Sequence, residues 1–265
     1  MHVRKIGTAI LLMLLGLGAF AQVAAPAEEQ KTRSDRAWSN INGNVFLPRD
    51  INQLLQYGDK AALVKRLKEA FDDKSLDEDA KGRVAAALVK AGEEDGYWDY
   101  LTKPIDEALQ NGMPYPFDLV STKNAGQVTS SFKDWASAHN LTVDDAVFQA
   151  STEIPRRILF AGLSGDKRAI PLLHRALQSD SYGMQTSAAM AVANLHDESA
   201  IPLIIRAASQ TSGADSVIFA VALLTFPDSR LADAAAERLA PAEVIKEMKG
   251  KIASGYKPFS GDYPN

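Results

Sequence analysis

The chain has 265 residues, no cysteine, 46% hydrophobic residues and a net charge of −4. Without cysteine there is no disulfide framework, so a chain of this length must be held by a buried core. The acidic balance disfavours nucleic acid and anionic membrane as partners.

Residues 1–21 carry Arg4 and Lys5, the apolar run Ile6-Gly-Thr-Ala-Ile-Leu-Leu-Met-Leu-Leu-Gly-Leu, and then Ala19-Phe20-Ala21. That order is the order of a secretory signal peptide, with cleavage expected after Ala21 and export to the periplasm or the medium. The apolar run is short for a bilayer span, so no membrane span is expected after cleavage. Losing Arg4 and Lys5 takes the net charge from −4 to −6.

Residues 22–49 read as a flexible leader and N-terminal cap. Positions 22–36 are small, polar and charged without an apolar period, and 37–46 bring Trp38, Ile41, Val45 and Phe46 among Ser, Asn and Gly. Helical periodicity starts near Asp50 and lasts to about residue 252. Leu63, Leu67 and Phe71 form one face of a first helix, and Val84, Ala85, Ala87, Leu88 and Ala91 form its partner. Tyr97, Tyr100, Leu101 and Ile105 open a second unit, which an insertion at about 111–153 interrupts. Asn111-Gly-Met-Pro-Tyr-Pro-Phe-Asp is a loop by its Gly and Pro content. Residues 130–139 and 143–151 predict two short helices. Insertions in repeat arrays fall on one face and often build the binding surface.

Beyond the insertion the chain repeats itself. Asp166-Lys-Arg-Ala-Ile-Pro-Leu-Leu returns as Asp197-Glu-Ser-Ala-Ile-Pro-Leu-Ile and then as Asp228-Ser-Arg-Leu-Ala-Asp-Ala-Ala, at steps of 31 residues. A fixed period of this size marks a stacked array. Ala169, Leu172, Leu173, Ala176 and Leu177 form the apolar face of the first copy. Ala200, Leu203, Ile204, Ala207 and Ala208 form that of the second, and Leu231, Ala234, Ala235 and Leu239, with Arg238, that of the third. Asp166, Asp197 and Asp228 are expected N-caps. Pro171 and Pro202 predict a late helix start or a bend. Each second helix is apolar nearly all round, as in Ala188-Ala-Met-Ala-Val-Ala, and can be covered only by neighbouring units. Residues 241–252 supply a polar closing helix, and 253–265 a loosely attached tail.

The unit resembles a HEAT repeat. Its short period and the pattern Asp-x-x-Ala-Ile-Pro-Leu-Leu are similar to the PBS-lyase HEAT-like variety, clearly over residues 153–245 and more loosely back to about 58. The resemblance implies an all-α, right-handed α–α superhelix, a HEAT-like solenoid with one inserted segment, used mainly to bind other macromolecules. It carries no particular chemistry.

No catalytic or metal motif accompanies the repeats. The deoxyhypusine hydroxylase family, also built of HEAT repeats, holds two irons with His-Glu pairs. Here His139, His174 and His196 are followed by Asn140, Arg175 and Asp197, so no metal and no cofactor is expected. In the acidic run 72–79 the sixth and twelfth positions from Asp73 hold Glu78 and Val84 rather than the Gly and Glu of a calcium loop. Gly162-Leu-Ser164-Gly-Asp166 lacks the second glycine and the preceding strand of a nucleophile elbow, and reads as a hinge. Related bilin lyases share the repeat, but the repeat alone does not transfer their activity.

Trp98, Tyr115, Phe117 and Trp135 concentrate aromatic character in the irregular unit. They are the candidate partner-binding residues, set against the alternative that they fill the core where the insertion docks. Arg157, Arg175 and Arg206 line either a ridge or an ordinary solvated face. The function expected is therefore that of an exported, non-catalytic protein- or peptide-binding or scaffold module. The alternative is a lyase or other enzyme acting through the insertion.

Overall fold

The computed structural model describes residues 27–93, 96–111, 130–138, 140–211 and 216–260. The signal peptide expected at 1–21 lies outside them. Among the described residues the chain is all-α, with no strand. No described helix is long and apolar enough to cross a membrane.

Among the described residues, thirteen α-helices follow in chain order. They are α1 (Ala27–Asn42), α2 (Pro48–Tyr57), α3 (Lys60–Asp72), α4 (Glu78–Lys90), α5 (Tyr97–Asn111), α6 (Ser130–Ala138) and α7 (Val143–Leu163). After these come α8 (Ile170–Leu177), α9 (Tyr182–Asn194), α10 (Ile201–Ala208), α11 (Ser216–Leu224), α12 (Arg230–Leu239) and α13 (Ala242–Ala253). Their packing follows two rows. In the first, α5 touches α8, α8 touches α10 and α10 touches α12; in the second, α4, α7, α9, α11 and α13 each touch the next. Rungs join the rows, α3 to α4, α5 to α7, α8 to α9, α10 to α11 and α12 to α13.

The second row is where apolar surface is most completely removed from water. In α11, Val217, Phe219, Ala220, Val221, Ala222, Leu223 and Leu224 are all buried, and in α9 burial runs from Met184 through Ala193 with one intermediate position at Met190. Small residues let these helices approach closely. A Cβ added to Gly162 of α7 would lie 2.6 Å from the Ala191 backbone of α9, and the Asn194 side chain donates to the Gly162 carbonyl at 2.8 Å. Gly82 of α4 makes room in the same way for the Phe160 ring of α7.

Local signals set the ends of the elements. Asp59 and Asp77 cap α3 and α4 by accepting from the Ala62 and Ala80 amides, at 3.0 and 2.7 Å. Asp166 and Asp197 each cap a single 3-10 turn, at 167–169 and 198–200. The α-helices proper begin only at Ile170 and Ile201, with Pro171 and Pro202 in the first turn. There the missing N–H costs nothing, because first-turn amides have no intrahelical acceptor. This is the late start that the prolines predict.

The third copy departs from the expected register. Ser229, not Asp228, caps α12, accepting from the Ala232 amide at 3.2 Å. Ala232 and Ala236 are the buried pair, whereas Leu231 is 59% exposed. The equivalent positions are thus 32 residues on rather than 31, and the whole buried face moves by one position. A finer correction applies to the first two copies, where Leu173 and Ile204 are 0% exposed and Leu172 and Leu203 lie half-buried beside the core.

Three further expectations change. The leader is not wholly irregular, because α1 starts at Ala27 and buries Ala37 and Ile41. The helix predicted to end near Ser151 runs without a break from Val143 to Leu163, through Glu153 and Pro155. The tail is not loose as far as Ser260, which is 8% exposed, and Tyr256 and Phe259 pack against the main core.

Replacing Leu173 by Ala is expected to cost about 2–5 kcal/mol, and Leu231→Ser to stay within about 0.5 kcal/mol of wild type. Urea unfolding of the two variants checks the register, and the reverse order refutes it. Gly162→Ala is expected to destabilise by roughly 1–3 kcal/mol, because the atoms that it meets include backbone that has no rotamer to yield.

Candidate functional site

Of the four candidate aromatics, Tyr115 and Phe117 lie outside the described residues, and Trp135 lies on α6. Trp98 is half-buried on α5 beside two core clusters, and the Arg168 guanidinium sits 4.6 Å from its ring centroid. That ring is held between core and cation.

Polar side chains that could do chemistry are instead tied into structural contacts. Arg157, at 9% exposure, reaches from α7 to the junction of α4 and α5. It donates to the Tyr100 carbonyl at 2.6 Å and to Glu78 Oε2 at 2.9 Å, and its guanidinium lies 4.3 Å from the Tyr100 ring centroid. The Tyr100 hydroxyl donates to the same Glu78 oxygen at 2.6 Å. Burial, reinforced by this bond to Glu78, pushes the Tyr100 phenol well above its ordinary range. Phe71 closes the cluster, edge-on to Tyr97 at 4.9 Å and to Tyr100 at 5.0 Å. The sequence leaves Arg157, Arg175 and Arg206 on either a ridge or an ordinary solvated face. In the structure Arg157 is buried, while Arg175 and Arg206 are exposed and Arg175 pairs with Asp106. No common ridge forms.

The histidines and the serine have structural partners too. His174 Nε2 lies 2.6 Å from Asp197 Oδ2, and the other oxygen of Asp197 accepts from the Ser199 amide at 3.2 Å and its hydroxyl at 2.6 Å. One carboxylate therefore caps its own unit and holds the preceding one. His196 occupies the left-handed region at φ 53°, the position that Gly165 takes one period earlier at φ 74°. Ser164 donates to the Ala161 carbonyl at 2.7 Å and accepts from the Asp166 amide at 3.2 Å, so it closes α7 as part of the hinge. In the acidic run, Asp73 accepts from the Ser75 amide and hydroxyl, and Asp77 caps α4. Among the described residues there is no group of three His, Asp or Glu placed to hold a metal.

Along the second row, Gly255 at φ 93° ends α13, and the Tyr256 amide donates back to the Lys251 carbonyl at 3.0 Å, which turns the chain. Tyr256 and Phe259 then pack against the core. Ser260 lines a small recess with Ile51 and Asn52 of α2, Ala87 and Lys90 of α4, and Phe160 of α7. The end of the chain thus meets helices from its beginning. Sequence reasoning missed this contact; the only trace of it is the pair of aromatics in an otherwise polar tail.

One titration is built into the cluster around Arg157. Burial pushes the Glu153 carboxyl above its ordinary value of 4.5, with Arg157 opposing and Glu78 adding to the shift. The folded state then holds this proton more tightly than the unfolded state does. Its contribution to stability is present at low pH and falls as the pH rises through the raised value. Urea unfolding from the ordinary glutamate range up to neutrality is expected to show wild type losing ground to Glu153→Gln as the pH rises; a difference independent of pH refutes it. In comparisons with family models, curated proteins and solved structures, nothing matches this chain.

Proposed function

We propose that this chain is an exported, non-catalytic binding module: a HEAT-like, right-handed α–α superhelix whose concave face and insertion hold a protein or peptide. The observation that supports this reading is the two-row ladder of helices, in which each helix packs mainly against those next to it in the two rows. Arrays of that kind present long continuous surfaces suited to extended partners.

Curvature is supported by the reach of the tail. Seven Cα-to-Cα steps lead from Ala253 to Ser260, and a turn at 258–259 shortens them further. Fully extended they would cover roughly 25 Å, no more than three helix spacings of about 8–10 Å. A straight second row would put α4, four spacings from α13, out of reach, so the reading favours a row bent toward the tail. The commitment of Arg157, His174, Ser164 and Asp73 to packing and capping supports a non-catalytic role.

The test is a displayed peptide library panned against the mature chain, residues 22–265. Enriched sequences that bind in the micromolar range are expected. A stoichiometric metal or cofactor in the purified protein, or robust hydrolytic or lyase turnover, overturns the reading. Export is checked by mass spectrometry of the protein from its native host, which is expected to start at Gln22.

A further inference from the structure

We propose that the seam between α4 and α7 is a hinge between two lobes, α1–α4 before it and α7–α13 after it, with Arg157 as its latch. The buried apolar residues fall into separate clusters on the two sides. Val84, Ala87 and Leu88 of α4 belong to the cluster shared with α1, α2 and α3. Ile154, Ile158 and Ala161 of α7 belong to the main cluster, which runs on to Met248 of α13. Among the described residues, the buried cluster between them consists of Ala85, Ala86 and Val89 of α4, Leu101 of α5 and Phe160 of α7. Phe160, the largest of these, lies over Gly82, where an added Cβ would come within 2.5 Å of the ring. The ring therefore rests on bare backbone, and at that point α4 offers no side-chain ridge for α7 to interlock with. The chain passes from α4 to α5 by way of Gly92 and Gly96, at φ 88° and 77°, where an added Cβ would meet no described atom within 4 Å. Hinges are a few residues at element ends that absorb a change in φ and ψ. The start of α5 lies at the axis, where Phe71 of α3 meets Tyr97 and Tyr100 edge-on.

Polar contacts fasten the seam at the N-terminal end of α4. Arg157 spans it to the Glu78 carboxylate and the Tyr100 carbonyl, and Arg156 beside it lies 3.7 Å from Asp79. Two consecutive arginines of α7 thus meet two consecutive carboxylates in the first turn of α4. Asp79 is shared with Arg83, so the buried Arg157 makes the closer bond of this clamp. Toward the other end of α4, the recess lined by Ala87, Lys90, Leu163 and Ser260 leaves the helices less closely fitted. Ser260, arriving from the far end of the chain, limits how far the seam opens. Glu78 and Tyr100, the partners that Arg157 loses on release, belong to neither large cluster. Each lobe therefore keeps its own packing while the angle between them loosens. The hinge is a property of the fold and holds whether or not the concave face binds a peptide.

The chain has no cysteine, so spin labels on introduced cysteines report one chosen distance at a time. Lys65→Cys on α3 with Arg238→Cys on α12 measures across the seam, and Lys167→Cys with Arg238→Cys measures within the second lobe; all three positions are exposed. Double electron–electron resonance on the mature chain, residues 22–265, compares each pair with and without Arg157→Met. The distribution across the seam is expected to widen roughly twofold in the variant, and the one within the lobe to stay as it was. A distribution across the seam as narrow as in the parent chain overturns the hinge, and so does equal widening of both pairs. Should Arg157→Met lose its helicity by circular dichroism, Glu78→Gln, which keeps an acceptor for Arg157 and removes the charge, is measured in its place. Widening across the seam alone then supports the hinge, and any other result overturns it.

Discussion

The structure depends on one constraint: helices that are apolar nearly all round must be covered on every side. A single amphipathic helix needs only one partner, but α9 and α11 expose apolar side chains in every direction and require helices before, after and beside them. Alanine and glycine make this feasible by bringing helix axes close. The Gly162–Ala191 contact leaves no room for even a methyl group, and the Asn194 amide bonded to the Gly162 carbonyl fixes the rotation of one helix against the next. Close approach of small residues multiplies weak dispersion contacts, so the second row gains cohesion without large side chains. The first row, with its polar outer face and short helices, is positioned by that spine.

Polar groups serve the same order. Asp197 joins two units through His174 on one side and its own cap on the other. Arg157 plays the corresponding part at the irregular junction, where α7 has to bridge the gap left by the insertion. There its guanidinium satisfies a backbone carbonyl, a carboxylate and an aromatic face at once. A buried arginine is costly unless its donors are met, and here two of its nitrogens have partners within 2.9 Å.

The sequence made the helical period, the capping aspartates and the proline-delayed helix starts legible, because each follows from local chemistry at a fixed spacing. The slip in the third copy escaped, since Asp228 and Ser229 are both good caps and nothing local decides between them. Packing of α12 against α10 and α11 decides it, by favouring Ala232 and Ala236 over the bulkier Leu231. The same reason hid α1, whose polar sequence offers only Ala37 and Ile41 to a neighbour, and the anchoring of the tail, which depends on contacts across more than two hundred residues. Of the candidate site, the aromatic composition could be read, but the surroundings of Trp98 could not. Whether a tryptophan faces solvent or an arginine from the next unit is settled only by tertiary packing.

Ser260 lines one recess with residues of α2, α4 and α7, all far earlier in the chain. A row of units that each touch only their neighbours melts inward from its free ends, one rung at a time. Bringing Ser260 beside those helices couples distant parts of the row, at the expense of a long-range closure that slows folding.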